Sequence, residues 1–256
     1  MRPNLKVELQ NDKDESPCAT GNDNGMRRYF LLFLMLSVLL GILFFFVPVI
    51  DLWAAARFYD QHRGFIISNP SSGSALPFLP WLAKVFVTAC CLVFAVNIIR
   101  QYFLGKSVPL VASNRVIIFL LFTLGIGPGL IVNAVLKDHW GRARPFQVTE
   151  FGGNRQFTAA FVVSDQCPTN CSFVSGDASL GYFGLAFFFI TRRRRTFVAG
   201  AAILAGTLLG LVRMAQGAHF LSDVIFSGVF TFLVAWLLYF LLLHHWQIRQ
   251  SASNST

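Results

Sequence analysis

Charge is scarce in this sequence. Asp, Glu, Lys and Arg make up 13% of its 256 residues, against about 25% in soluble domains. A chain so poor in polar surface cannot cover a water-facing particle, which excludes an ordinary soluble enzyme. Acidic residues are the rarer sign, 12 against 21 basic ones, for a net charge of +9. In a soluble protein that surplus would suggest nucleic acid. In an apolar chain it sets membrane orientation instead, and no nucleic-acid partner is expected. Cysteine is also sparse: five residues at irregular spacing, which excludes a disulfide-rich scaffold and a metal-finger array. No internal repeat or low-complexity domain is present.

Long apolar runs take the place of charge. Hydrophobic residues reach 55%, and they gather into stretches long enough to cross a bilayer of roughly 30 Å. Six such stretches occur, over residues 30–50, 76–99, 116–136, 175–191, 196–212 and 220–243. The pattern predicts an all-α integral membrane protein with six transmembrane helices. The fourth span is the shortest and carries Asp177 near its start. Residues 1–28 are polar, too long and too mixed in charge for a signal-peptide n-region, and the run that follows is too long for a cleaved one. We therefore expect an uncleaved anchor, one membrane domain over residues 29–245, and a short polar tail over 246–256.

Orientation follows from basic residues in alternate loops. One side has 13: Arg2, Lys6, Lys13, Arg27 and Arg28 before the first span, Arg100, Lys106 and Arg115 after the second, Arg192–Arg195 after the fourth, and Arg249. The other side has seven: Arg57, Arg63, Lys137, Arg142, Arg144, Arg155 and Arg213. Both termini are thus expected in the cytoplasm, and the Arg192–Arg195 block reads as a topology anchor.

Three polar clusters interrupt the apolar chain, and this topology puts all three on the outward face. Lys137 to Pro145 follows the third span, Val174 to Asp177 opens the fourth, and Arg213, His219 and Asp223 join the fifth to the sixth. Lys137, Arg144 and Arg213 are three cations with no matching excess of carboxylates nearby. Near a membrane such charges are costly unless an anion completes the site. Guanidinium forks suit the paired oxygens of phosphate. Ser175 and Gly176 at a helix start can offer free backbone N–H groups to the same anion. His219 and Asp223, four residues apart, are expected on one helix face. A carboxylate on one imidazole nitrogen would make the other the nucleophile. Each element has a bland alternative: snorkelling cations, a helix cap, a chance His-x3-Asp. Their order and common face argue for a site.

The three clusters resemble the signature of the type 2 phosphatidic acid phosphatase superfamily. That signature runs Lys-x6-Arg-Pro, Pro-Ser-Gly-His, then Ser-Arg-x5-His-x3-Asp. Lys137, Arg144 and Pro145 match the first part. In the second, Val174 stands for the proline and Asp177 for the histidine; in the third, Val212 stands for the serine while Arg213, His219 and Asp223 match. The wording over about residues 126–226, Asp177 included, is similar to the lipid A 4′-phosphatase branch. The resemblance implies a six-helix bundle and a lipid phosphatase of the bacterial inner membrane with its site facing the periplasm. It implies His219 as nucleophile forming a phosphohistidine, Asp223 as its orienting partner, and Lys137, Arg144, Arg213, Ser175 and Gly176 as the phosphate clamp. It implies no cofactor and no metal, because the cations already neutralise the phosphate. Asp177 takes the place of the acid that protonates the leaving oxygen. His139 is the other candidate, and Asp177 would then only orient a cation.

Within the same site class, lipid A 1-phosphate, undecaprenyl pyrophosphate and phosphatidylglycerol phosphate are alternative substrates. A non-catalytic phosphate-lipid binder would need only the cations, so the His219–Asp223 pair favours an enzyme. Lipid and membrane are the expected partners; oligomeric state is not encoded. In an oxidising periplasm Cys167 and Cys171 could form a disulfide bracing the Ser175 turn, the alternative being two free thiols. Cys90 and Cys91 read as mid-span packing residues. Gly206-x3-Gly210 and Gly125-x-Gly127-Pro128-Gly129 suggest close helix contact and a bend, and Lys84 a snorkelling cation. Residues 51–59 are expected at the interface beside the substrate's access path.

Overall fold

The computed structural model describes residues 23–67, 78–104, 113–191 and 193–244. Of the expectations above, Leu76, Lys106, Arg192, Arg249, the basic residues before Arg27 and the 246–256 tail lie outside them.

In a bilayer every backbone polar group must be satisfied within the chain, so the apolar runs become helices. We label them α1 (Asp23–Phe46), α2 (Val49–Ala56), α3 (Leu79–Leu104), α4 (Asn114–His139), α5 (Gly176–Ile190), α6 (Arg195–Ala215) and α7 (Leu221–His244). Five of these, α1, α3, α4, α6 and α7, are long and apolar enough to span; α5 is apolar but shorter. The expected six runs are therefore present as five long helices and one short one. The first run is not a single helix to Ile50. Pro48, which has no N–H to donate, separates α1 from α2. At the other end α1 reaches back to Asp23 and takes in Arg27 and Arg28, which were expected in a polar tail.

The helices differ in what surrounds them. α4 and α7 are the most enclosed, whereas α1 and α3 keep most of their surface outward. Lipid is as apolar as leucine, so packing rather than expulsion of water must hold the bundle together. The centre is Phe119, Leu124, Phe183, Phe189, Val234 and Leu238, drawn from α4, α5 and α7. Where α5 meets α6, Gly181 lies so close to Gly206 that a Cβ on Gly181 would sit 2.6 Å from the Gly206 Cα. Gly210 faces Val224 of α7 just as closely. The contact expected at Gly206 and Gly210 is thus present, whereas a Cβ at Gly125 would meet nothing within 4 Å. The Gly125–Leu136 part of α4 winds as a wide π-type helix around Pro128, and Asn133 Nδ2 donates to the Pro128 carbonyl at 2.6 Å. α3 is tied to α4 through Asn97 Nδ2, which donates to Asn114 Oδ1 at 3.1 Å. On the outer face of α3, Cys91 is exposed and Cys90 only half-buried; the expectation that they pack inside is corrected. Lys84 is exposed there as well.

The chain between α4 and α5 folds back over the ends of α4, α6 and α7. Trp140 Nε1 donates to the Ala160 carbonyl at 2.8 Å, and Phe146 N donates to the Gly217 carbonyl at 3.0 Å. A two-residue ribbon, Tyr59–Asp60 against Gly64–Phe65, packs Tyr59 and Phe65 on Phe151. This cap puts the polar clusters under a shared lid.

Candidate active site

The C-terminal ends of α4 and α6 and the N-terminal ends of α5 and α7 converge beneath the cap. Lys137, Arg144, Arg213 and Asp177 thereby come within electrostatic reach of one another. Arg144 and Arg213 are both buried, each 3% exposed.

Each guanidinium is held by a different device. Arg144 Nε and Nη2 donate to the Asn170 carbonyl at 3.1 and 2.6 Å, and Nη2 also donates to Asn170 Oδ1 at 2.9 Å. Its Nη1 is buried without a hydrogen-bond partner among the described residues. An unsatisfied buried donor is expensive, and an anion is the group that would satisfy it. Burial, with Arg213 next in effect, lowers Arg144 to about 10, so it stays charged at neutral pH. Arg213 Nη1 donates to Gln216 Oε1 at 2.7 Å, and its Nε pairs with Asp177 Oδ2 at 3.4 Å.

Cys167 and Cys171 form a disulfide, with 5.6 Å between their Cα atoms. It closes a small ring that contains Asn170, so it braces the residue that grips Arg144 rather than the Ser175 turn alone. Cys171 N also donates to the Lys137 carbonyl at 2.9 Å, which binds this ring to the end of α4.

Ser175 is the N-cap of α5, its Oγ accepting from Ala178 N at 3.4 Å. Its own N–H is not free for an anion: it donates to the Asp223 carbonyl at 3.2 Å. The pair of open amides expected at this helix start is therefore reduced to that of Gly176. At Gly176 a Cβ would sit 2.6 Å from Asn133 Oδ1, so α4 and α5 approach too closely there for any side chain.

His219 is 1% exposed and precedes α7, whose N-cap is Phe220. It does not share a helix face with Asp223, and that expectation is corrected. Its Nδ1 lies 2.7 Å from the Ser172 carbonyl. A carbonyl only accepts, so Nδ1 carries the proton and the Nε2 lone pair is left for chemistry. Asp223 Oδ2 lies 3.6 Å from Nδ1, too far for a strong hydrogen bond but near enough to act by charge. Burial, reinforced by Arg144 and Arg213 against Asp223, lowers His219 to about 4. It is neutral at pH 7. His139 is exposed, its Nδ1 3.1 Å from the Val135 carbonyl of its own helix.

Sequence reasoning missed a second, deeper layer. Arg142, counted there only as a loop charge, is 0% exposed, as is Asp51, which was expected at the membrane interface. Arg142 Nη1 donates to Asp223 Oδ1 at 2.6 Å and Nη2 to Asp51 Oδ2 at 2.7 Å. Burial alone would lower Arg142, but Asp223 and Asp51 outweigh it and hold it above its ordinary value. One signal was available: Asp51 and Asp60 are the two carboxylates in residues 24–137, and a charge beside a membrane span is a functional hypothesis by default.

Among the described residues no group of three or more His, Cys, Asp and Glu could hold a metal ion. Arg144 and Arg213 beside a buried neutral imidazole, with Lys137 next to both arginines, at one end of a helical membrane bundle, define a membrane phosphatase site. Comparison with known proteins gives the family. The model of the PAP2 superfamily matches residues 116–247, and the chain belongs to that superfamily. The lipid A 4′-phosphatase of Francisella tularensis subsp. novicida (strain U112) is 38% identical over 218 residues, 84% of this chain and 96% of that protein. The lipid A 4′-phosphatase of Rhizobium leguminosarum is 43% identical over 115 residues, 44% of this chain and 49% of its own. A lipid A 1-phosphatase of Rhizobium etli is 35% identical over 128 residues, 45% of this chain and 47% of its own. No solved structure matches significantly.

Proposed function

We propose that the protein removes the 4′-phosphate of lipid A at the periplasmic face of the bacterial inner membrane, through a phosphohistidine on His219. The observation that carries the chemistry is the Nδ1–H to Ser172 carbonyl bond of 2.7 Å, which leaves a neutral Nε2 lone pair within electrostatic reach of Arg144 and Arg213. The 4′ position is supported by the Francisella relative, whose similarity extends over 96% of its length.

The reaction runs in two displacements. Lys137, Arg144 and Arg213, helped by the Gly176 amide, hold the phosphate oxygens and stabilise charge as it spreads in the transition state. His219 Nε2 attacks phosphorus in line, and the P–O bond to the sugar breaks. The leaving oxygen takes a proton from the acid. Asp177 lines the site beside Arg213, 3.4 Å away, whereas His139 is exposed. Asp177 serves only in its carboxylic acid form, with the proton brought in by a monoanionic substrate phosphate. Water then attacks the phosphohistidine, gives its proton back to the acid, and releases inorganic phosphate while His219 regains its lone pair. Fixed cations supply the neutralisation that a divalent metal would otherwise provide. An apolar cavity of about 850 Å³ lies among α1, α5, α6 and α7, lined from Tyr182 and Ile225 to Arg195, Trp236 and Tyr239, mostly in the half of the bundle away from His219.

The test is mass spectrometry of bis-phosphorylated lipid A incubated with purified protein in detergent with EDTA. The expected product keeps only the 1-phosphate. Loss of the 1-phosphate would assign the other end, turnover of pyrophosphate or glycerophospholipid substrates alone would assign another member of the class, and a need for added metal would contradict the cation clamp.

A further inference from the structure

We propose that Asp51 and Arg142 are positioning residues that set the charge and geometry behind His219. The inference rests on His219 being the nucleophile and adds residues that the three-part signature does not contain. Asp51 also lies outside the 116–247 segment matched by the family model.

Arg142 is fully buried and four of its five N–H groups are engaged within the protein, so it does not serve the substrate. Nε donates to the Thr158 carbonyl at 2.9 Å, Nη1 to Ser222 Oγ at 2.8 Å and Asp223 Oδ1 at 2.6 Å, and Nη2 to Asp51 Oδ2 at 2.7 Å. Its guanidinium stacks 4.4 Å from the Phe220 ring centroid, a face that suits a buried cation. Asp51 is equally occupied. Its Oδ1 accepts from Ser222 N at 2.8 Å and its Oδ2 from Ser222 Oγ at 2.6 Å. A carboxylate from α2 thus satisfies one of the first-turn amides that α7 leaves open.

Asp223 transmits the effect. Besides Arg142, it accepts from Phe220 N at 2.8 Å and from Ser172 Oγ at 2.5 Å. The same Ser172 offers its carbonyl to His219 Nδ1, so the residue that fixes the tautomer is fixed by Asp223. Charge matters as much as position. One guanidinium lies between two carboxylates. Burial pushes Asp51 up, against Arg142 and the Ser222 hydrogen bonds. Asp51 nonetheless accepts three hydrogen bonds and donates none, the pattern of an ionised carboxylate, which leaves one negative charge in a buried cluster beside His219. When Nε2 takes the phosphoryl group the ring becomes cationic, and that negative charge stabilises it. Without Asp51, Arg142 would pair one-to-one with Asp223 and cancel its field at the imidazole.

A merely structural cap would change stability and leave the chemical step alone. We therefore expect Asp51→Asn to lower kcat for phosphate release from bis-phosphorylated lipid A by about tenfold to a hundredfold, the scale of a misplaced catalytic group. KM should stay within about twofold, because the cation clamp is untouched. Arg142→Gln leaves the cluster more negative, so the fall in kcat expected there reports lost positioning of Asp223 and Ser222 rather than lost charge. The double variant should lose no more than the worse single one, since the two residues act through one network. An Asp51→Asn kcat within about twofold of wild type, a loss confined to KM, or multiplying losses in the double variant would overturn the proposal. If Asp51→Asn does not fold, Arg142→Lys carries the test: it keeps the charge but cannot fork between two carboxylates. A fall in kcat at unchanged KM is then expected, and unchanged kcat overturns the idea. His219→Asn serves as the control. Turnover there would sink the nucleophile assignment itself, whereas a dead His219→Asn beside a fully active Asp51→Asn would sink only the positioning role.

Discussion

The disulfide makes a measurable claim about Arg144. Asn170 holds that guanidinium by three contacts, two through its carbonyl and one through its side chain, and it sits in the ring closed by Cys167 and Cys171. Replacing both cysteines by serine, or adding reductant, frees a loop of five residues, for which chain-closure entropy is about 2 kcal/mol. If that order passes wholly to the clamp, phosphate binding weakens by at most about thirtyfold. The loss should fall on KM more than on kcat, because Ser172 is held separately, its N–H donating to the Arg142 carbonyl at 2.9 Å. Asn170→Gly isolates one component. Glycine accepts the positive φ of 52° found there, so the backbone carbonyl is kept while the Oδ1 acceptor is lost, about 1 kcal/mol or fivefold. The assay is phosphate release in detergent, oxidised against reduced, over a range of lipid A concentrations. Reduced protein with unchanged KM, or a loss confined to kcat, would refute the claim that this ring positions Arg144.

Four further outcomes can be measured. Because burial holds His219 near 4 rather than 6.5, the nucleophile stays neutral well into acid, and the acid limb of phosphoenzyme formation should lie near pH 4. A limb near 6.5, shared by two substrates whose phosphates ionise differently, would contradict this. The same shift works against stability. The unfolded chain takes up this proton first, so stability from this residue is full above pH 6.5 and falls as pH drops towards 4, which thermal unfolding should show. Asp177→Asn should lose about a hundredfold or more on lipid A but far less on a p-nitrophenyl phosphate ester, whose leaving group needs no proton; equal losses would limit Asp177 to orienting Arg213. Finally, a cysteine in place of Asn154 should react with an impermeant thiol reagent in cells whose outer membrane is permeabilised, and one in place of Thr196 should not. The reverse pattern would put the site in the cytoplasm.

The helices were legible because a bilayer tolerates few other solutions for long apolar runs. Their ends were less so. Pro48 lies inside an unbroken apolar run, and only the structure shows it dividing α1 from α2. That division matters, since α2 carries Asp51 inward. The cation set was legible from residue type, whereas its supports were not. Asn170, Gln216 and Ser172 are ordinary loop residues whose roles depend on contacts with chain far away. Arg142 and Asp51 are 91 residues apart, and no local pattern encodes such a pair. The His219–Asp223 spacing suggested a helix face, but α7 begins after His219, and a backbone carbonyl provides the short contact instead.

These supports explain why one end of the bundle can hold so many charges. The site has two layers of opposite excess. In the outer one Lys137, Arg144 and Arg213 face Asp177, with Asp138 also acting on Lys137, a positive surplus that a substrate phosphate would neutralise. In the inner one Arg142 faces both Asp51 and Asp223, a negative surplus closed off from water. His219 lies between them. On attack, a phosphoryl group bearing negative charge meets the outer layer while the imidazole, turning cationic, meets the inner one, so each surplus is relieved as the reaction proceeds. Preorganised charge of this kind needs no solvent rearrangement at the moment of transfer. It also sets a limit on substitution: a change that evens out both layers would leave the free protein with less internal repulsion and the transition state with less to stabilise it.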